Sequence, residues 1–172
     1  MIFSELAKTL PDYAKDLRLN VSSLLNEQLL SDQQKWGTLV AVAHACAHKP
    51  LIDAVEEEAA TKLTAEAMNA AKAAASIMAM NNIYYRFTYM ASRPDYKTMP
   101  AKLRMNVIGS PGIEKADFEL FSLAVSAVNG CGMCIDAHDK VLAQHGVGAD
   151  KIQAAVRIAA VVHAVARTLQ AL

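Results

Sequence analysis

Apolar residues recur along most of this chain at the three- and four-residue spacing of amphipathic helices, and the alternating pattern of strands is absent. In the first half this spacing predicts five helices, at about residues 3–10, 11–30, 31–47, 50–62 and 64–92. Pro11 and Pro50 suit the first turn of a helix, where a missing N–H leaves no hydrogen bond unmade. Ser31 or Asp32, and likewise Thr64, suit N-caps because their side chains accept hydrogen bonds from free N–H groups.

A proline-broken connection spans residues 93–112, and one helical turn is predicted within it at about residues 102–106. Three further helices are predicted beyond it, at about residues 113–128, 131–145 and 150–172. The middle one follows a break at Asn129-Gly130, and Asn129 is predicted to be its N-cap. The expected architecture is therefore all-α.

The two parts of the chain resemble each other. Identical residues recur 84 positions apart, as in Leu39 and Leu123 or Ala70 and Ala154. Self-similarity at a fixed offset is the mark of an internal repeat. We therefore predict a helical bundle that forms a single domain, residues 1–172, built from two duplicated helical halves at about residues 31–92 and 113–172.

The charge balance limits the functions open to this protein. Seventeen basic residues offset seventeen acidic ones, so we expect no binding to nucleic acid. Glu5, Lys8 and Asp12 interrupt the N-terminal segment where a signal peptide needs an apolar run. Polar residues also break the longest apolar stretches, so no membrane span is expected. A soluble, cytoplasmic protein is the prediction.

Reactive side chains concentrate in one stretch, Cys131-Gly132-Met133-Cys134, with His138 four residues farther on. Three cysteines are too few for a disulfide framework, and a Cys-x-x-Cys pair in a reducing compartment points to redox cycling or to metal binding. The third cysteine, Cys46, lies in an apolar run and is interpreted as a small buried hydrophobic residue. Asn81, Tyr84, Tyr85 and Tyr89 are interpreted as core and packing positions rather than as a cofactor site.

Two physical arguments favour different cysteines as the nucleophile. The positive end of the helix dipole stabilises thiolates in the first turn, which favours Cys131. His138 lies one helical turn beyond Cys134 and can remove its proton directly or through one water, which favours Cys134. The residues alone leave this choice open.

Glu119 lies in the apolar stretch Phe118-Glu-Leu-Phe-Ser-Leu-Ala-Val125 of the preceding helix. One interpretation is that it belongs to the exposed polar face of an amphipathic helix. The other is that it is buried, where it needs a partner or a proton, and completes a proton relay with the thiols and His138.

Together these residues form the pattern Glu119-x11-Cys131-x2-Cys134-x3-His138. With the opening MIFSELAKTLPDYAKDLRLNV and the repeated alanine-rich helices, the chain resembles the AhpD family of alkyl hydroperoxidases along essentially its whole length. The resemblance implies an all-helical, usually homotrimeric thiol peroxidase that reduces organic hydroperoxides. It also implies recycling by the dihydrolipoyl group of a 2-oxoacid dehydrogenase component with lipoamide dehydrogenase, and partnership with an AhpC-type peroxiredoxin.

By the same resemblance, Cys134 attacks the peroxide and becomes a sulfenic acid. Cys131 supplies a proton and then reacts with the sulfenic acid to form the Cys131–Cys134 disulfide. Glu119 and His138 relay protons, and no bound cofactor or metal is implied. Some family members carry a histidine between the cysteines, where this chain has Met133. This chain therefore lacks a possible second base. Its reaction rate or pH profile is expected to differ from that of family members with the histidine.

The motif is compatible with three other interpretations. Two thiols and an imidazole are acceptable zinc ligands, although no fourth ligand is evident in the pattern. A protein disulfide oxidoreductase or redox sensor needs the same pair without peroxide chemistry. A purely structural helical module, or a relative of ring-opening decarboxylases, shares the repeated helices but does not need the thiols.

Overall fold

The computed structural model describes all 172 residues, of which 76% are helical, and contains no strand. The predicted all-α class is confirmed. Ten α-helices and one 3-10 helix follow in order: α1 (Phe3–Lys8), the 3-10 helix (Asp12–Ala14), α2 (Lys15–Leu25), α3 (Asp32–Cys46), α4 (Lys49–Ala59), α5 (Ala65–Met90), α6 (Asp95–Thr98), α7 (Asn106–Gly109), α8 (Lys115–Asn129), α9 (Gly132–Gln144) and α10 (Ala149–Gln170).

Local capping signals set several helix starts where the sequence places them. Ser31 caps α3 through a capping box, in which its side chain accepts from the Gln34 N–H and the Gln34 side chain accepts from the Ser31 N–H. Thr64 caps α5 by accepting from the backbone N–H of Ala67. Ala47 adopts a left-handed conformation that ends α3 before Pro50 enters the next helix.

The connection between the two parts differs from the prediction. The helical turn predicted at residues 102–106 does not form there: Lys102 is left-handed with φ 54°, and helix begins only at Asn106. Short helical segments form instead on either side, at Asp95–Thr98 and Asn106–Gly109. The second predicted helix is also shorter than expected, since Pro11 precedes a 3-10 turn and α2 ends at Leu25.

Two helices, α3 and α8, lie side by side at the centre of the bundle, and α5 and α10 pack against both. Residues 35–43 of α3 and 117–126 of α8 are all buried. Much of the surrounding core is alanine, which lets helix axes approach closely. Burial of α8 on every side means that any polar group on it must find a partner within the protein.

Helices of the two parts start at matching positions. α3 and α8 begin at Asp32 and Lys115, α4 and α9 at Lys49 and Gly132, and α5 and α10 at Ala65 and Ala149. Across the centre, the Gln33 side chain donates to Asp117, 84 residues away, at 2.7 Å. The helix order therefore repeats, while the duplication itself stays a prediction.

One helix passes a length-and-composition test for membrane crossing. It is α10, Ala149–Gln170, with a mean hydropathy of 1.3 over its best window, so the expectation that no stretch approaches a span was too strict. Its buried residues, among them Ala155, Ile158 and Val162, belong to the core, and the helix packs against α3 and α8. A core helix passes the same test, so this finding is weak support for a membrane.

Candidate redox site

The site is built at the corner between α8 and α9. The N–H groups of Gly130 and Cys131 bond back to the carbonyl groups of Ala127 and Ser126, a pattern that ends a helix. Gly130 takes the left-handed conformation that this ending requires, with φ 68°. Asn129 is consequently the last residue of α8, and the prediction that it caps α9 was wrong.

The cap of α9 is Cys131 itself. Its sulfur accepts a hydrogen bond from the backbone N–H of Cys134 at 3.3 Å, in the place where a serine or threonine oxygen usually stands. Cys134 is therefore in the first turn of α9. The two sulfurs form a disulfide whose Cα atoms are 5.3 Å apart.

The two cysteines differ in their access to solvent. Cys131 is completely buried, whereas Cys134 is 6% exposed and lines a cavity of about 160 Å³. An attacking reagent can therefore meet the sulfur of Cys134 from this cavity. The cavity walls are mainly apolar and consist of Met78, Asn81, Tyr85, Met133, Cys134, Ala137 and His138.

The cavity adjoins a larger groove. Tyr85 and Met133 belong to the walls of both spaces, and the groove has a volume of about 310 Å³. Its remaining walls come from the end of α5 and from the connection that follows, with exposed aromatic and apolar side chains such as Tyr89 and Met99. Molecules with a sizeable apolar part can therefore approach Cys134 along an apolar surface.

Glu119 is buried, with 2% of its surface exposed, and lies between His138 and Lys115. Its Oε2 is 2.5 Å from Nδ1 of His138, and its Oε1 is 2.7 Å from Nζ of Lys115. Burial raises the pKa of the Glu119 carboxyl, but the hydrogen bonds and charges of His138 and Lys115 outweigh it, so the net pKa is lowered. The interpretation of Glu119 as an exposed polar residue is therefore wrong.

His138 is also buried, at 8% exposure, and both of its ring nitrogens have partners. While Nδ1 meets Glu119, Nε2 lies 3.2 Å from the sulfur of Met78. No hydrogen bond joins His138 to Cys134, although both side chains line the same cavity. The direct contact that sequence spacing allows is absent in the disulfide form.

A chain of partly buried hydrogen bonds holds the corner in place. Arg86 donates to the carbonyl oxygen of Asn129 at 2.5 Å, and the Asn129 side chain donates to Asn82 at 3.0 Å. Asn82 in turn donates to the hydroxyl of Ser126 at 2.9 Å, and the Ser126 carbonyl accepts from the Cys131 N–H at 3.1 Å. The position of Cys131 is thus fixed from α5.

All four residues singled out in the sequence meet at this corner. The sequence reading missed Lys115, Met78 and the place of Asn81 in the cavity wall. Lys115 stands four residues before Glu119, a spacing that signals an ion pair on a helix. Met78 and Asn81 come from α5. Their contact with the cavity results from tertiary packing, which no local sequence pattern predicts.

Cys46 lies apart from the cavity, near the end of α3. It is half-buried, with its sulfur 3.9 Å from Nδ1 of His163. Burial raises the pKa of its thiol to about 11, against a smaller opposing effect of Arg167. A thiol with so high a pKa is a poor nucleophile at neutral pH.

Comparison with known proteins identifies the family. Curated proteins named alkyl hydroperoxide reductase AhpD match nearly the whole chain: one from Rhizorhabdus wittichii is 64% identical over 166 residues, which is 96% of each protein. One from Hyphomonas neptunium is 62% identical over 168 residues, 97% of this chain and 93% of the relative. The chain belongs to the AhpD family.

The match extends to more distant AhpD proteins, such as that of Brucella suis, 54% identical over 171 residues, 99% of this chain and 98% of the relative. Residues 94–172 also match the Carboxymuconolactone decarboxylase family. That segment contains Glu119, Cys131, Cys134 and His138. No group of three or more His, Cys, Asp or Glu side chains is arranged to hold a metal ion.

Proposed function

We propose that this protein is a thiol peroxidase that reduces alkyl hydroperoxides with Cys131 and Cys134 and is recycled by a dihydrolipoyl protein. The observation that carries the proposal is that the only cysteine exposed to the apolar cavity, Cys134, shares that cavity with a histidine paired to a buried carboxylate. Family membership supports it, since the similar proteins are named alkyl hydroperoxide reductases.

In the first step the Cys134 thiolate attacks the terminal oxygen of the hydroperoxide. A sulfur–oxygen bond forms, the O–O bond breaks, and Cys134 becomes a sulfenic acid while the alkoxide leaves. The thiol of Cys131 supplies the proton that turns the alkoxide into an alcohol. Complete burial of Cys131 supports this internal role rather than attack on the peroxide.

In the second step the Cys131 thiolate attacks the sulfur of the sulfenic acid and forms the Cys131–Cys134 disulfide. Hydroxide leaves and takes a proton from His138, so the products are one alcohol, one water and one disulfide. We assign to His138 the removal of the Cys134 proton at the start and the transfer of a proton to the departing hydroxide here. Glu119 holds the ring at Nδ1 and stabilises its charged form.

Recycling follows from the unequal exposure of the two sulfurs. An incoming thiolate reaches Cys134 from the cavity and expels Cys131 as a thiolate. The N–H of Cys134 and the start of α9 stabilise that leaving group, because the sulfur of Cys131 is the helix cap. A flexible dihydrolipoyl arm, apolar along its length, suits the groove that leads to Cys134.

The remaining parts of the proposal come from the family. We propose a lipoylated 2-oxoacid dehydrogenase component with lipoamide dehydrogenase as the electron source, an AhpC-type peroxiredoxin as a redox partner, a homotrimer as the assembly and the cytoplasm as the location. The exposed apolar residues Ile83, Phe87 and Met90 of α5 offer surface for partners.

The test is a coupled assay with NADH, lipoamide dehydrogenase, a lipoyl protein and cumene hydroperoxide, with and without the peroxiredoxin. We expect hydroperoxide-dependent NADH oxidation that Cys134→Ser abolishes and that Cys46→Ser, the matched control, leaves intact. A protein that reduces disulfides of other proteins but never consumes hydroperoxide is instead a disulfide oxidoreductase. Substantial turnover by Cys134→Ser would remove Cys134 from its role.

A further inference from the structure

Asn81 carries the one buried side-chain acceptor without a partner in the wall of the redox cavity. The residue is 5% exposed, and its Oδ1 has no hydrogen-bond partner, whereas its Nδ2 donates to the sulfur of Met105 at 3.4 Å. That contact orients the amide and leaves Oδ1 free. A buried acceptor without a donor weakens the fold, so its presence beside a reactive group points to a ligand that brings the donor.

Asn81 is next to the reactive sulfur. Its backbone carbonyl oxygen lies 3.9 Å from the sulfur of Cys134, and both residues line the cavity with His138. Two other side chains in the wall carry donors, but neither serves Oδ1: the nitrogens of His138 face Glu119 and Met78, and the Tyr85 hydroxyl makes no hydrogen bond to Asn81. A small molecule that enters the cavity is therefore the available source of a hydrogen for Oδ1.

An alkyl hydroperoxide has one such hydrogen, on the oxygen that the thiolate attacks. We propose that Asn81 is a substrate-binding residue whose Oδ1 accepts this hydrogen and so directs the terminal oxygen toward the sulfur of Cys134. The proposal rests on the peroxidase function argued above. It adds a hydrogen-bond acceptor, from a different helix, to the thiols and the Glu119–His138 pair.

The hydrogen bond persists through the reaction. When the O–O bond breaks, the terminal oxygen stays on Cys134 with its hydrogen, and the alkoxide leaves to be protonated by Cys131. The hydroxyl of the Cys134 sulfenic acid then donates to the same Oδ1 atom. The bond is lost only when Cys131 attacks and hydroxide departs. Asn81 thus serves the hydroperoxide and the sulfenic acid, and does not act on the thiolate.

Because Asn81 does not act on the thiolate, a test can separate its role in substrate binding from a general disturbance of the site. Reduced protein is mixed with cumene hydroperoxide in a stopped-flow instrument, and disulfide formation is followed in one turnover. In parallel, alkylation of Cys134 by monobromobimane is measured by mass spectrometry. Monobromobimane has no O–O–H hydrogen, so its rate reports thiolate formation and access alone. The ratio of the two rate constants isolates the contribution of Oδ1.

We expect Asn81→Leu, which keeps the shape but has no acceptor, to lower the hydroperoxide rate about tenfold while the alkylation rate is unchanged. Asn81→Asp keeps an acceptor in place and should retain the wild-type ratio, even if its charge lowers both rates. If Asn81→Leu does not fold, as circular dichroism will reveal, Asn81→Ala replaces it with the same expectation.

An unchanged ratio in the variants without an acceptor would overturn the assignment of Asn81. The wild-type measurement distinguishes this outcome from failure of the peroxidase proposal. If the wild-type protein consumes hydroperoxide and the variants have the same ratio of rate constants as wild type, only the role of Asn81 is contradicted. If the wild-type protein is alkylated at Cys134 but consumes no hydroperoxide, both proposals fall.

Discussion

Oε2 of Glu119 lies 2.5 Å from Nδ1 of His138, and this contact joins α8 to α9 across the corner that carries the thiols. A carboxylate at Nδ1 fixes the ring, as in the division of roles that general-base histidines use, and Nε2 lies against the sulfur of Met78 in the cavity wall. Lys115 holds the other carboxylate oxygen at 2.7 Å. The Glu119–His138 pair is thus anchored on α8 before any substrate arrives.

Replacement of His138 by phenylalanine should slow thiolate formation at Cys134 near neutral pH. Without the imidazole, the proton must pass to water, and the rate of alkylation at pH 7 should fall by about tenfold or more. The measurement is the pH profile of iodoacetamide alkylation of the reduced protein. His145→Phe, at the exposed end of the same helix, is the control and should match wild type. Identical pH profiles for His138→Phe and wild type would remove His138 from the relay.

Glu119→Gln should destabilise the protein as well as lower its activity. The glutamine keeps the shape but removes the charge that pairs with His138 and Lys115, a loss on the order of 2 kcal/mol for a buried ion pair. Urea unfolding at pH 7 measures this loss as a change in the free energy of unfolding. The lowered pKa of Glu119 means that its charge stabilises the fold above the ordinary value of 4.5 and that this benefit disappears as the pH falls through the depressed value.

The difference in the free energy of unfolding between wild type and Glu119→Gln should therefore be largest at neutral pH and shrink below pH 4.5. A difference that stays constant over this range would mean that the charge of Glu119 does not contribute. Equal peroxidase activity of the two proteins would contradict its role in the relay.

Lys115→Met should move acid unfolding to higher pH. Lys115 lowers the pKa of Glu119 through its hydrogen bond and its charge, so its removal raises that pKa and the stabilising charge is lost sooner on acidification. Circular dichroism during acid titration gives the midpoint. Lys140→Met, an exposed lysine on α9 without an ion pair, is the control. A midpoint equal to that of wild type would show that Lys115 does not support Glu119.

Much of this fold follows from local sequence signals. Ser31 and Thr64 start their helices because their side chains satisfy free N–H groups, and those signals need no tertiary information. The pair Asn129-Gly130 carries two competing signals, since Asn suits the start of one helix and Gly suits the end of another. The left-handed Gly130 decides in favour of an ending, and Cys131 takes the cap instead.

The sequence predicts those parts of the candidate site whose residues are close together along the chain. Cys131, Cys134 and His138 lie on one helix, so their spacing brings them together. The burial of Glu119 was not evident, because an amphipathic pattern assumes one solvent-exposed face, and α8 is buried on every side. Met78 and Asn81 reach the cavity only through the packing of α5 against α9, which no spacing within α5 indicates.

The close packing of α3 on α8 gives a last prediction, at Gly37. A Cβ atom on this glycine would overlap the ring of Phe121, which is fully buried and cannot move aside. Gly37→Ala should therefore lower the free energy of unfolding in urea by about 1–3 kcal/mol, although alanine is the better helix former. Gly109→Ala, where the new methyl group meets open space, is the control and should leave stability nearly unchanged.

A double variant identifies the cause. If overlap with the ring is responsible, Phe121→Leu should cost less stability in the Gly37→Ala background than in wild type, because the smaller side chain makes room for the methyl group. Additive losses would show that Gly37→Ala acts elsewhere, and full stability of the single variant would show that α3 and α8 can separate freely. Since α8 carries Glu119, a shift of α8 away from α3 should also weaken the pairing of Glu119 with His138 and lower the rate of hydroperoxide reduction.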